Sequence, residues 1–312
     1  MCNIWQSGDS SDLDPALVEK LPASLKYVNL SGGEPFLHKR LEDIVRAVRT
    51  SCPSAQTIIS TNALLGTARM LERMEEIRSI DPGIGVAVSL DGIGPVHDRI
   101  RGIEGAYDKC LAFIRGLQQA GMTNLRLAFT VVDDNVDDFY RVYQLSRELG
   151  IEFTCALAQE STHYFQTTGV GRVDLERLRR QVDMIAASEL RSLEPKRWAR
   201  AYFSRGLYEF AAGDGRPLTC RAADDFFFMS PDGSIYTCNI LDLPLGNLRE
   251  DSFEAVWDST AAAEARRKVA SCEIGCWMVC TARSAIKRNP ARVAAWVASG
   301  KVRALLGREV MK

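Results

Sequence analysis

The sequence predicts an α/β protein built on a parallel sheet, and three observations carry that prediction. Between residues 26 and 159 one unit recurs five times: a short β-branched or apolar run, a loop, then an amphipathic stretch of helical period. Alternation of strands with helices of this length supplies the crossovers that a parallel sheet requires. Polar and small residues also gather directly after the apolar runs, where parallel sheets, open or barrel-like, present their ligand face.

The strands are expected at 27–30, 57–60, 84–90, 125–132 and 153–157, and the helices at about 39–51, 65–79, 106–120 and 136–149. Gly121 and Gly150 follow two of these helices as C-terminal caps. The ligand-face residues are Gly32-Gly33-Glu34-Pro35, Thr61-Asn62, Asp91-Gly92 and Gln159-Glu160. From 173 to 212 the pattern is helical. From 216 to 281 it is rich in cysteine, with a hairpin over 226–238 turning at Pro231-Asp232-Gly233. A domain boundary is expected near residue 192. The tail, 289–312, reads as an amphipathic helix packed on the body, with Arg292, Lys301, Arg303 and Arg308 on a solvated face.

A chain of 312 residues can bury a sizeable core in one or two domains. With 46% hydrophobic residues, 25% charged residues and a net charge of -1, the composition argues against broad nucleic-acid binding. The longest apolar runs, 84–90 and 125–132, are strand-length and predict no membrane span. The opening Met1-Cys2-Asn3-Ile4-Trp5-Gln6 lacks a leader pattern, so a cytoplasmic location is expected. Of nine cysteines, five fall between Cys220 and Cys280, a clustering that suggests metal binding in a reducing compartment. Cys52, Cys110 and Cys155 lie in apolar patterns and read as small buried hydrophobes.

Gly32-Gly33-Glu34-Pro35 closes a strand and opens a helix, where small residues admit a ligand to the backbone and Glu34 is suited to an amine. Taken alone, it is also an ordinary glycine-rich turn with an acid favouring the helix dipole. Its company is more specific: Met1-Cys2-Asn3-Ile4-Trp5 upstream, then Ser60-Thr61-Asn62, Ser89-Leu90-Asp91-Gly92 and His97-Asp98-Arg99-Ile100-Arg101-Gly102. In order and spacing these resemble the radical S-adenosylmethionine enzymes, over essentially the whole chain. The resemblance implies a partial (β/α)6 parallel barrel and a 4Fe-4S cluster held by three cysteines, spaced C-x3-C-x2-C. It implies that Cys2 is the third of these. Gly32, Gly33 and Glu34, with Pro35, would hold the methionyl amine of S-adenosylmethionine, and Ser89 and Asp91 would contact its ribose or the substrate. On the same basis the first two cysteines and the first strand would precede Met1. Met1 is then expected to be internal to a longer protein, with 27–30 left as an aggregation-prone sheet edge. A pseudoenzyme that has lost the cluster is the alternative.

Cys220 is followed by Gly233 and Cys238, and then by Cys272, Cys276 and Cys280. Such a density of cysteines around a hairpin is a metal signal, open between an iron–sulfur cluster and structural zinc. The pattern resembles the SPASM and Twitch extensions of the same enzymes. This implies one auxiliary 4Fe-4S cluster, held by Cys220 and Cys238 with two of Cys272, Cys276 and Cys280. The domains are then expected at 1–192 (partial barrel), 193–288 (a small α+β auxiliary-cluster domain) and 289–312 (C-terminal helix). His97 and His163 are candidate acid–base groups or, more simply, hydrogen-bonding residues. Glu160, Tyr164 and Asp133 are candidate substrate contacts. The resemblance implies an oxidoreductase that forms a 5′-deoxyadenosyl radical and takes hydrogen from a peptide or small molecule. Its electron donor would be a flavodoxin or ferredoxin. Scaffolding by the auxiliary domain and a non-enzymatic substrate-binding protein are the competing readings.

Overall fold

The computed structural model describes residues 12–161, 164–167, 169–170 and 172–311. Cys2 and His163 lie outside the described residues.

A short helix α1 (Pro15–Val18) leads into β1 (Tyr27–Leu30), α2 (Leu41–Ser51), β2 (Gln56–Thr61), α3 (Thr67–Ile80) and β3 (Gly85–Ser89). There follow α4 (Pro95–Arg101), α5 (Ala106–Gln119), β4 (Leu125–Val131), α6 (Phe139–Glu148) and β5 (Glu152–Leu157). The five strands form one parallel sheet in the order β1-β2-β3-β4-β5, as the alternation predicts. Gly121 and Gly150 adopt the left-handed conformation expected of helix caps, with φ of 81° and 67°.

The two faces of the sheet differ in kind. On β4 the buried Leu125, Leu127, Phe129 and Val131 alternate with half-buried Arg126, Ala128 and Thr130. On β5 Phe153, Cys155 and Leu157 alternate with Glu152, Thr154 and Ala156. The buried set joins the helices in the main core, each large side chain contributing roughly 1.5–3 kcal/mol. Parallel sheets are ordinarily covered on both faces. Here the second face is lined by small and polar residues and is only half covered. It is concave: Arg126 on β4 hydrogen-bonds Tyr27 on β1 at 2.8 Å, across the two intervening strands. Those strands stand three spacings, or about 14 Å, apart in a flat sheet, so the sheet curls as a partial barrel does.

The second half holds α7 (Leu175–Leu190), α8 (Pro195–Ala211), the antiparallel sheet β6 (Phe228–Met229), β7 (Ser234–Tyr236) and β8 (Pro244–Asn247), and then α9 (Phe253–Trp257), α10 (Thr260–Ala270), α11 (Val279–Arg288) and α12 (Pro290–Leu305). The hairpin expected at 226–238 is the β6–β7 pair. Helices α7 and α8 pack side by side across residue 192, and α12 packs on both, so the main core runs past that point. No helix among the described residues is long and apolar enough to cross a membrane.

Two local features depart from the sequence expectations. Helix α4 was not expected: it has seven residues, starts at Pro95 and stops at Gly102 in the left-handed conformation, which is too short to show a period. The helix expected from 136 begins at Phe139, because residues Asp133–Asp138 form a 3-10 turn.

Candidate cofactor face and cysteine cluster

The carboxyl ends of β1 and β2 meet at Glu34. Its Oε1 accepts from the Phe36 N–H at 3.2 Å and from Thr61 Oγ1 at 2.8 Å, and its Oε2 accepts from the Asn62 N–H at 2.8 Å. One carboxylate therefore ties the Gly-Gly-Glu-Pro loop to the end of β2. Burial raises the Glu34 pKa, against the three donated hydrogen bonds and the nearby Arg101. Oε2 accepts one bond here and has lone-pair capacity for another, so an ammonium group could share this carboxylate.

Gly32 and Gly33 are exposed beside it, and Gly32 has a φ of 135° that other residues rarely adopt. Pro35 is buried as the first residue of a 3-10 turn. Arg73 on α3 holds this loop from below: it donates to Phe36 O at 2.7 Å and His38 O at 3.0 Å, and forms a two-pronged pair with Glu42 at 2.6 and 2.7 Å. Ser89 ends β3 half-buried, and its hydroxyl makes no hydrogen bond among the described residues.

Asp91 is placed differently from the expectation that it faces a ligand. It is 0% exposed; Oδ1 accepts from the Thr130 N–H at 2.7 Å, and Oδ2 lies 2.5 Å from Arg101 Nη2. The turn is inward because Gly92 lets α4 close on the loop: a Cβ at Gly92 would meet Val96 and the His97 N at 2.6–2.8 Å. In this structure Asp91 organises the loop. Asn135 completes the arrangement by donating to Asp91 O and Thr130 O and accepting from the Val132 N–H.

His97 is fully buried. Its Nδ1 accepts from the Asp91 N–H at 2.9 Å, and Nε2 stands 3.7 Å from Cys110 Sγ. Burial and the neighbouring Arg101 lower its pKa to about 4, against Asp91 and Asp98, so the ring is neutral and structural, the hydrogen-bonding reading of this residue. An unfolded chain binds a proton at a histidine of pKa about 6.5 that the folded chain refuses down to about 4. Stability is therefore lost as pH falls through that window, by up to about 3 kcal/mol. Thermal melts of the wild type and His97→Asn are expected to show the wild type's advantage at pH 7 shrinking by about 2–3 kcal/mol at pH 4.5. An advantage independent of pH would contradict it.

Cys52, Cys110 and Cys155 are buried, as expected of packing cysteines. Burial raises the Cys110 thiol to about 12 and raises Cys155 as well. In the second half of the chain Cys220, Cys238, Cys272, Cys276 and Cys280 line one pocket with Thr281 among its walls. Burial first, then the charges of Cys220, Cys238 and Cys280, raise the Cys276 thiol to about 12; burial raises Cys280 to about 12 as well, against hydrogen bonding from Thr281 and helped by Cys238 and Cys220. Cys272 is not among the leading influences on either. Hydrogen bonds reach the sulfurs from the Leu241 N–H to Cys238 at 3.4 Å and from Thr237 Oγ1 to Cys238 at 3.9 Å, and Thr281 Oγ1 lies 3.7 Å from Cys220. Single-ion zinc sites bring thiolates to about 3.8 Å of one another, given metal–sulfur bonds of about 2.3 Å. No three His, Cys, Asp or Glu side chains among the described residues close on a point in that way.

Thr61, Asn62 and Arg101 stand in motifs that the sequence displays, without a role that the motifs assign, whereas Arg73 lies on α3 with no local signal.

Residues 3–146 match the radical SAM superfamily, and residues 220–280 match SPASM, an iron–sulfur cluster-binding domain. An AdoMet-dependent heme synthase of Methanosarcina barkeri is 25% identical over 256 residues, which cover 77% of this chain and 69% of that protein. An Fe-coproporphyrin III synthase of the same organism is 30% identical over 186 residues, covering 56% and 43%. The mycofactocin maturase MftC of Mycolicibacterium smegmatis is 26% identical over 236 residues, covering 74% and 57%.

Proposed function

The chain belongs to the radical SAM superfamily and carries a SPASM iron–sulfur domain, and from that premise we propose that it serves an oxidoreductase that removes hydrogen from a small-molecule or peptide substrate. The observation that carries the reading is the Glu34 junction, set at the rim of a concave face lined by small residues. S-adenosylmethionine held there, together with a reduced 4Fe-4S cluster, would supply the hydrogen-abstracting radical.

The chain's own residues hold and orient. Glu34 offers its remaining acceptor capacity to the methionyl amine. Gly32 and Gly33 leave the backbone open to close approach, Pro35 fixes the turn, and Ser89 offers a free hydroxyl to the ribose or substrate. Asp91 and Arg101 act through one another to set the β3 loop. Cys2 alone is not a donor set for a three-cysteine cluster. The enzymatic reading therefore concerns a protein in which the two partner cysteines are present, and a chain without them is expected to bind substrate without cleaving the cofactor.

We assign the auxiliary cluster to Cys220, Cys238, Cys276 and Cys280, with Cys272 spare. The electron donor is a flavodoxin- or ferredoxin-type protein. The functional division falls at 1–192, 193–288 and 289–312, although the first two share a core.

The test is to express the chain together with the in-frame sequence upstream of Met1, purify it without oxygen, and measure 5′-deoxyadenosine released from S-adenosylmethionine under a strong reductant. Release, with about eight irons per chain, is the expected result for two four-iron clusters. About four irons and no release would leave the binding-protein reading standing.

A further inference from the structure

We propose that the floor of the concave face, at the end opposite Glu34, is a subsite for a carboxylate of the substrate, built by Tyr27, Arg126 and Arg283. The proposal deepens the enzyme reading above, because it rests on that open face being the substrate's place.

Register brings the residues together. Tyr27 is the first residue of β1, and Arg126 is the second of β4, paired with Glu152 at the start of β5. All three occupy the amino-terminal end of the sheet on its inner side. Arg126 donates from Nη1 to Tyr27 Oη at 2.8 Å and from Nη2 to Asn124 Oδ1 at 2.9 Å. Its Nε is buried and has no hydrogen-bond partner. Arg283 on α11 stacks on the Tyr27 ring, its Cζ 3.5 Å from the centroid. Tyr27 Oη accepts from Arg126 and, among the described residues, donates to no acceptor.

These donors lack an anion. Among the described residues no carboxylate forms an ion pair with Arg126 or Arg283, and Glu152, the nearest by register, is taken by Lys196 at 2.7 Å and by Arg200. The surplus of positive charge is felt by its members. Burial first, then Arg147 and Arg126, hold the Arg200 guanidinium down at about 10, and burial with Arg126 lowers Lys196. Burial alone would raise the Tyr27 hydroxyl, yet Arg126 and Arg283 bring it below its ordinary value. A guanidinium pair with a free Nε–H and a phenolic O–H is the donor set that a planar carboxylate satisfies.

Above this floor the inner face offers mostly short side chains, Asn29, Ser60, Ala128, Thr154, Thr130 and Ala156, with Ile58 as the one larger apolar side chain among those of β2. The four residue steps of β4 from Arg126 to Thr130 span about 13 Å. A substrate whose carboxylate sits on the floor would thus present the carbon to be oxidised about 10 Å away, near the Glu34 rim. Arg283 also lies one helical turn after Cys280, so the helix that supplies a cysteine to the auxiliary pocket also supplies the floor's second guanidinium.

The experiment uses the full chain with 15N-labelled arginine and follows the Nε–H resonances of Arg126 and Arg283, assigned through Arg126→Lys and Arg283→Lys. The probe is succinate, with dimethyl succinate and inorganic phosphate as controls. Succinate is expected to shift both resonances and dimethyl succinate neither. Arg283→Gln is expected to weaken succinate binding about tenfold or more, with Arg283→Lys retaining most of it. Failure of succinate to shift either resonance would overturn the subsite, and tighter binding of phosphate than succinate would overturn its assignment to carboxylates. Binding needs neither cluster nor S-adenosylmethionine, so this result is independent of whether the cofactor is cleaved.

Discussion

Glu34→Ala is expected to weaken S-adenosylmethionine binding by about tenfold or more and to lower the melting temperature by about 5–10 °C. The two effects have separate causes. Removing the carboxylate strands the Thr61 hydroxyl and the N–H groups of Asn62 and Phe36 in a half-buried junction. Each charge-assisted bond contributes roughly 1.5–3 kcal/mol, but water reaches this junction and re-solvates part of what is lost, so a net cost of about 2–4 kcal/mol follows. The loss of affinity comes from the charge that faces the methionyl ammonium. Glu34→Gln divides the two: the amide keeps one oxygen for Thr61 and Phe36, so the protein melts closer to wild type, while the cationic amine loses its counter-charge. Isothermal titration with S-adenosylmethionine beside calorimetric melts reads both quantities. Unchanged affinity in Glu34→Gln would show that Glu34 only braces the loop.

The five strands were legible because each is a dense apolar or β-branched run, and their boundaries shifted by a residue or two at most at either end. The site was less so, and for a physical reason. Gly32, Gly33 and Glu34 announce themselves by type and adjacency. The inward turn of Asp91 depends on Gly92, His97 and Arg101 meeting it from a helix too short for periodicity to reveal. The Tyr27–Arg126 bond joins residues 99 apart in sequence and exists because the sheet curls, which no local pattern encodes. The five cysteines are conspicuous by density and spacing, and the fold gathers all five around one pocket.

Serine at Cys276 or Cys280 is expected to abolish the auxiliary cluster, taking about four irons per chain with it, whereas serine at Cys272 is expected to leave the iron content unchanged. In the folded chain the Cys276 and Cys280 thiols sit at about 12, raised by burial and by the sulfurs of Cys220 and Cys238. Such thiols stay protonated at neutral pH unless iron displaces the proton, and four sulfurs converging on one pocket then gain a shared counter-charge. Cys272 lines the same pocket but is not among the leading influences on Cys276 or Cys280, and its carbonyl is engaged by Arg216 at 2.9 Å. Because serine is nearly isosteric, the adjacent core, where Trp277 is 1% exposed and donates to Phe203 O at 2.9 Å, should hold its packing. The iron-free melting temperature of each variant therefore serves as the control for folding. Iron and acid-labile sulfide, measured with the visible absorption of anaerobically reconstituted protein, decide the matter. If Cys272→Ser lost the cluster and Cys276→Ser kept it, the ligand set would have to be redrawn around Cys272.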